Sequence, residues 1–373
     1  MESNELIKAY GTEYKEMTKR LLEKAGLKDD VFRKVGDKKA PELARIALKP
    51  NLVCTSPAKF GATTHTEIAA GIIEYLKENG FTNVVIAEGS WVGDRTAEAF
   101  EYCGFNALAE EYGVELIDTQ KDGHFSADCS GMQLEICSCV KTFDFLINLP
   151  VLKGHCQTKM TCALKNMKGL IPNSEKRHFH TMGLHKPIAH LNSFIRPNFI
   201  VIDHICGDPD FEEGGNPLIR NCVMVGKDPV LTDAYAAKLL GYEPDEIEYI
   251  RIAERLGIGT SDLSQLHILT IEGENTEDLP DTRKILAVSY AAEAIDSCSA
   301  CYGSLIAALD RLKTEGLLDD VMKKLPGKIA IGQGYKGKTG ACGIGQCTKL
   351  FDFNIPGCPP KEETIYSELK KLL

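Results

Sequence analysis

The stretch "FDFLINLPVLKGH", Phe143–His155, carries an unbroken apolar run that stops at Pro150 and closes on Lys153, Gly154 and His155. A short apolar run bounded by turn residues is the pattern of a strand buried on both faces. Working outward, the pattern recurs in "RIALKPNLV", which ends at Lys49-Pro50-Asn51, and in "NVVIAEGS", "VELIDT", "NFIVIDHICGD" and "QLHILTIEG". Between these runs, "TEIAAGIIEYLKENG", "TAEAFEYCG", "DPVLTDAYAAKLLG" and "PDEIEYIRIAERLG" have apolar residues at helical spacing, and "TCALKNMKGL" reads as a short helix. The N-terminal stretch "MESNELIKAYGTEYKEMTKRLLEKAGL" also reads as helical. The alternation predicts an α/β fold, a mainly parallel helix-covered sheet over residues 1–272. Ligands of such folds sit beyond the carboxyl ends of strands, here Lys49–Asn51, Glu88–Ser90, Lys153–His155 and Asp203–Asp208.

"EGENTEDLPDTRK" (272–284) is polar and acidic and reads as a linker. After it a second, smaller α/β domain is expected over 284–373. It has a strand in "KILAVSY", a long helix through "SLIAALDRLKTEG", a strand in "GKIAIGQGY" and a last helix in "KEETIYSELKKLL". No internal repeat stands out.

The chain has 373 residues and a formal net charge of −10, which disfavours nucleic-acid partners that need a basic face. No apolar run approaches the roughly 18–20 residues that span a bilayer. The charged N-terminus does not read as a secretory signal. The expectation is a cytoplasmic protein without a membrane partner. In a reducing compartment the fourteen cysteines are not a disulfide framework, so metal or redox roles come forward.

Five of the fourteen lie after residue 284. "GQGYKGKTGACGIGQC" (332–347) contains Gly332, Gly337, Lys338 and Thr339 in the spacing of a nucleotide phosphate loop. That loop needs a helix to begin at the Lys-Thr, and "GACGIG" offers none. The metal reading is stronger. Cys298 and Cys301 form a Cys-x-x-Cys, Cys358 precedes two prolines, and Cys342 or Cys347 completes a set of four thiolates. Four converging thiolates suit a [4Fe–4S] cluster. A four-Cys zinc site is the competitor, but zinc sites usually pair two Cys-x-x-Cys units.

From Phe145 to Ile202 there are eight Lys/Arg, five histidines (His155, His178, His180, His185, His190) and one acid, Glu175. In an acidic chain this island reads as an anion site for carboxylate or phosphate. Its candidate ligands are Lys153, His155, Lys159, Lys165, Asn166 and Lys168, joined by Lys49 and Asn51 from another strand end. A solvated basic surface is the plain alternative. His155, with Lys153 beside it, is the candidate acid–base pair. Cys54, Cys156 and Cys162 read as ordinary buried cysteines before a second site. Asp203, Asp208, Asp210, Glu212 and Glu213 read as a solvated acidic loop before a cation site.

The chain resembles the domain-of-unknown-function 362 (DUF362) family of iron–sulfur proteins. The resemblance rests on "KPNLV" (49–53), "LPVLKGHCQTKMTCALKNMKGLIP" (149–172), "IVIDHICG" (200–207) and "GKDPVLTDAYAAKLLG" (226–241), and covers roughly residues 40–272. The loop "DPDFEEGGNP" departs from the family's usual acid-glycine loop. The C-terminal "CSAC…IGQGYKG…GQCTK…PGCPP" is similar to a cluster-bearing extension of some members. Those members place a cysteine in the "GQCT" position, which favours Cys347 over Cys342 as the fourth ligand. The resemblance supports fold and cofactor and assigns no reaction.

The expected function is redox chemistry on a small anionic ligand, with a redox partner protein and with a homodimer left open. An electron carrier without its own substrate, and a non-redox enzyme with a structural or Lewis-acid cluster, are the alternatives.

Overall fold

The computed structural model describes residues 1–36, 39–215, 217–274 and 284–373. The chain divides into two compact units: residues 1–154 with 158–279, and residues 155–157 with 280–373. Most of the stretch read as a linker, residues 275–283, lies outside the described residues.

The first unit is built on one sheet. In chain order its strands are β1 (Glu5–Tyr10), β2 (Ile46–Pro50), β3 (Val84–Glu88), β4 (Glu115–Asp118), a side hairpin β5 (His124–Asp128) and β6 (Gln133–Cys137), and β7 (Phe145–Leu149). Short strands β8 (Lys153–His155) and β9 (Lys159–Thr161) follow, then β10 (Phe199–Gly207), β11 (Leu218–Gly226) and β12 (His267–Glu272). The sheet order is β12-β1-β11-β10-β7-β2-β3-β4. Only β1–β11 and β10–β11 pair antiparallel; every other neighbour is parallel. This is the mainly parallel α/β sheet that the apolar runs predict.

Both faces are covered, which is why these strands are apolar throughout. Along β2, Ala47 packs into one core while Ile46 and Leu48 pack into the other. β3 splits Val85 and Ala87 from Val84 and Ile86 in the same way. Alternate side chains of a strand point to opposite faces, so a doubly covered strand needs an apolar residue at every position.

Two readings change. The N-terminus opens with strand β1, and the helix begins only at Tyr14. The apolar face of β1 is short, and its partners are Cys222–Val225, far along the chain. "KILAVSY" is a helix over Lys284–Val288, and the strand there is β13 (Ala292–Ala294).

β13 opens the sheet of the second unit, joined by β14 (Ile329–Ile331), β15 (Cys342–Ile344) and β16 (Phe353–Ile355). The four are parallel in sequence order, with Ala294, Ile331, Ile344 and Ile355 in register. The helix Ser299–Thr314 and a second, Leu318–Lys324, make the first crossover. The next two crossovers are only residues 332–341 and 345–352, too short for the dozen or more residues that a parallel connection usually takes. Each is a tight 3-10 turn instead, Gln333–Tyr335 and Gln346–Thr348. The two turns are a repeat that the one-dimensional sequence hides: "IAIGQGYK" (329–336) overlays "CGIGQCTK" (342–349) in strand register. Gly332 and Gly345 turn the chain at equivalent positions with φ of 122° and 91°, a region that favours glycine.

Candidate functional site

From β2 the chain steps through β3 to β4 on one side, and β7 lies on the other side of β2. The sheet's order therefore reverses at β2, and a crevice forms beyond the carboxyl ends of strands at such a point. A cleft of about 520 Å³, space open to solvent included, lies there. The end of β2 supplies Asn51, and the end of β3 supplies Glu88, Gly89, Ser90 and Trp91. The turn after β9 supplies Lys165, Asn166, Lys168 and Gly169. The helix Asn173–Met182 adds Lys176 and His180, and the acidic loop adds Glu212.

Carboxylates and carbonyls hold most of the lysines. Buried Lys49 is ion-paired with Glu88 and donates to the Pro50 carbonyl at 2.7 Å. Burial weakens both charges: it lowers the Lys49 ammonium and raises the Glu88 carboxyl, each against the attraction of the other. Lys165 pairs with Glu212 and donates to Thr161 Oγ1 at 3.1 Å. Lys176 donates to the carbonyls of Gly89 (3.0 Å) and Ser90 (2.8 Å), and burial pushes its ammonium down to about 8. Lys168 has no hydrogen-bond or ion-pair partner among the described residues. Burial first, then the charge of Lys165, pushes it down to about 7. Four lysines thus meet two carboxylates, Glu88 and Glu212. The surplus positive charge belongs to Lys168 and Lys176.

An amide chain braces the cleft. Asn51 Nδ2 donates to Asn166 Oδ1 at 2.7 Å, and Asn166 Nδ2 donates to Asn148 Oδ1 at 2.7 Å. Asn51 Oδ1 is buried without a hydrogen-bond partner among the described residues. Buried amide oxygens are rarely left so, and a ligand group that donates a hydrogen bond would satisfy it. Gly169 is a steric requirement: a Cβ there would collide with the Glu88 carboxylate and the Lys49 amine.

Of the residues read from the sequence, the cleft gathers Asn51, Lys165, Asn166 and Lys168, with Lys49 against Glu88. Lys153, His155 and Lys159 are not among its lining. Buried Lys153 spends its ammonium on the carbonyls of Ala62 (2.5 Å) and Glu212 (2.8 Å). Lys159 pairs with Glu246 at 3.2 Å on the surface. His155 falls in the second unit, where its Nδ1 accepts from the Gln157 N–H at 3.1 Å. Glu88, Trp91, Lys176 and His180 were not singled out by spacing. Glu88 does sit at a strand end that the pattern marks, and Lys176 and His180 belong to the basic island.

The acidic loop is buried rather than solvated at Asp203, Asp208 and Asp210. Asp208 Oδ1 accepts from the N–H groups of Asp210 and Phe211, both at 2.9 Å. Cys162 is fully buried, and burial pushes the Cys54 thiol up to about 12.

In the second unit the parallel register sets the cysteines. Cys298 follows β13 as the cap of the helix Ser299–Thr314, and Cys301 lies in that helix's first turn. Cys347 and Cys358 each stand three residues beyond the registered isoleucines of β15 and β16, Ile344 and Ile355. All four therefore lie past the carboxyl ends of the strands. Cys301 feels the charges of Cys298, Cys347 and Cys358, and Cys347 feels those of Cys298 and Cys358. Cys342 begins β15, at the other end of the strand, and burial alone shifts its thiol, to about 11. The Gln333 amide stands 3.6 Å from Cys298 Sγ.

Among the described residues no three Cys, His, Asp or Glu side chains close on the space of a single metal ion. A four-thiolate zinc shell would need that, since each sulfur lies about 2.3 Å from the metal. Four thiols near enough to act on one another, yet not closed on one ion, fit the wider core of a four-iron cluster. No helix start follows Lys338 and Thr339, where the chain runs into β15 instead. Among the described residues no helix is long and apolar enough to cross a membrane.

Fold and cleft together define an α/β protein with a lysine-lined, net-positive crevice at the switch point of its sheet. The chain belongs to the DUF362 family, described as a domain of unknown function, whose model matches residues 46–238. That span contains every residue named in the cleft and ends before the C-terminal cysteines. The thylakoid-associated protein sll1697 of Synechocystis sp. (strain ATCC 27184 / PCC 6803 / Kazusa) is similar, at 26% identity over 57% of this chain and 68% of its own length. A structural-genomics crystal structure of a Thermotoga maritima protein aligns with a TM-score of 0.35 at 13% identity, covering 69% of this chain. This chain spans 61% of that protein's length.

Proposed function

We propose that this DUF362 protein is an iron–sulfur redox enzyme acting on a small carboxylate or phosphate held in the lysine-lined cleft. The observation that carries the reading is the convergence of Cys298, Cys301, Cys347 and Cys358 past the carboxyl ends of one parallel sheet. These four would hold the cluster. When bound it supplies single electrons, at a potential its surroundings set within about −700 to +450 mV.

The remaining work belongs to the cleft. Lys168 and Lys176 carry positive charge that no carboxylate of the cleft pairs, so they hold the anion. Asn51 offers an acceptor for a hydroxyl or protonated group of the ligand, and its amide chain through Asn166 and Asn148 keeps it in place. Trp91 lines one side and displaces water, which strengthens these charges.

The test is anaerobic reconstitution of the full chain. About four irons and four sulfides should bind per chain, with a broad visible absorption that bleaches on reduction. Cys347→Ala should lose both, and Cys342→Ala should keep them. Zinc at one per chain with no iron would sink the reading.

A further inference from the structure

Five lysines lie in or beside the cleft, and four are spoken for. Lys49 is held by Glu88 and Pro50, Lys165 by Glu212 and Thr161, and Lys176 by two backbone carbonyls. Lys153 is held by Ala62 and Glu212. An ammonium that donates to carboxylates or carbonyls keeps its proton where the acceptors are, and its nitrogen has no lone pair to offer. Lys168 alone among the five has no such partner among the described residues, and it faces the cleft. Its charged neighbours are Lys165 on the same turn, Lys176 on the next helix and Glu212 on the acidic loop. Desolvation and adjacent cations are the two devices that turn a lysine into a nucleophile.

We propose that Lys168 is a carbonyl-reactive amine, and that the ligand of the cleft is a small oxo acid or another anion that bears an aldehyde or ketone. The proposal rests on the anion-site reading above and names its substrate class. In the step, the neutral Lys168 nitrogen bonds to the carbonyl carbon. The carbonyl oxygen leaves as water, taking one proton from the lysine nitrogen and one from solvent. The product is a positively charged iminium, and no oxidant or reductant is consumed. Lys176 and Lys165 stand where the substrate's carboxylate or phosphate needs positive charge. The same two cations favour the neutral form of Lys168, which lies near half-neutral at neutral pH. Binding and activation therefore come from one arrangement.

The experiment traps the iminium. The full chain is incubated near neutral pH with pyruvate, or with glyceraldehyde 3-phosphate, and treated with borohydride. Peptide mass spectrometry then locates the reduced adduct. The adduct should sit on Lys168 at least about tenfold above any other lysine, the more easily deprotonated amine reacting first. Lys168→Arg keeps the charge and should abolish the adduct. The better of the two probes tells carboxylate from phosphate. Binding of oxalate and of inorganic phosphate to the unmodified chain is measured in parallel by calorimetry. No adduct, or adducts spread over exposed lysines, with oxalate or phosphate still bound, overturns Lys168 as a nucleophile and leaves the anion site standing. Failure to bind either anion overturns both. The peptide map of the unmodified chain decides the matter even if the arginine variant does not fold.

Discussion

The two units of this chain use the same geometric device over very different lengths of sequence. In each, a parallel sheet delivers side chains past the carboxyl ends of its strands. The first unit collects its cleft from Asn51 to Glu212, across long helical crossovers, and must bury charges to do so. The second collects four cysteines between Cys298 and Cys358, two of them on tight turns and short loops that repeat with strand register. Ligands on short turns inherit their position from the strand. Ligands on distant segments need partners of their own, which is why the cleft is full of ion pairs and an amide chain while the cysteine end is full of glycine.

This difference predicts where each unit breaks. The largest effect should come from Glu88→Leu, which strands the buried Lys49 ammonium. Removing one partner of a buried pair costs about 3–5 kcal/mol. The double variant Lys49→Met/Glu88→Leu should recover most of that. Urea denaturation of the three chains checks it, and equal stability of the single and double variants would show that the pair does not brace the cleft.

A smaller effect is expected from pH. Lys168 and Lys176 are held down to about 7 and 8, against 10.5 in an unfolded chain. The groups facing them are Lys165, Glu212, Lys49 and Glu88, with Cys137 and Asp118 beside Lys176. Anion binding needs the protonated lysines, so oxalate affinity should fall as pH rises through 7 to 8, by roughly tenfold, or about 1.4 kcal/mol, overall. Iminium formation needs neutral Lys168 and should move the opposite way at subsaturating pyruvate as pH rises through 7. The sign for stability agrees with the first trend's origin. A lysine lowered by folding contributes stability that is complete above the unfolded value and is lost as pH falls through the folded one. Calorimetry and borohydride trapping across this window separate the two curves, and parallel curves would break the assignment.

The smallest effect belongs to the second unit. Gln333→Leu removes the amide near Cys298 Sγ without touching a strand. The potential of a reconstituted cluster should drop, since a donor to sulfur favours the more negative reduced state. The drop is bounded by one hydrogen bond of about 1 kcal/mol, or roughly 40 mV for a one-electron couple. An unchanged potential on titration would place that amide outside the cluster's reach.

The sequence by itself determined the apolar strands, the helices between them, the strand ends to inspect, and the pairing of Cys298 with Cys301. These are local signals, because a doubly buried strand and an amphipathic helix each write their period into adjacent residues. It did not show that β1 is a strand, since its partners lie more than two hundred residues away. It did not separate Lys168 and Lys176 from Lys153 and Lys159, which belong to the same basic run. Only packing decides which lysine meets a carbonyl, which meets solvent and which is left without a partner. The hidden repeat of "GQGY" and "GQCT" shows the same limit, since parallel pairing is what aligns residues that the chain keeps apart. Cys342 and Cys347 sit five residues from each other in sequence and at opposite ends of one short strand, and the physical reason is direction: a strand carries its first and last residues to opposite edges of the sheet.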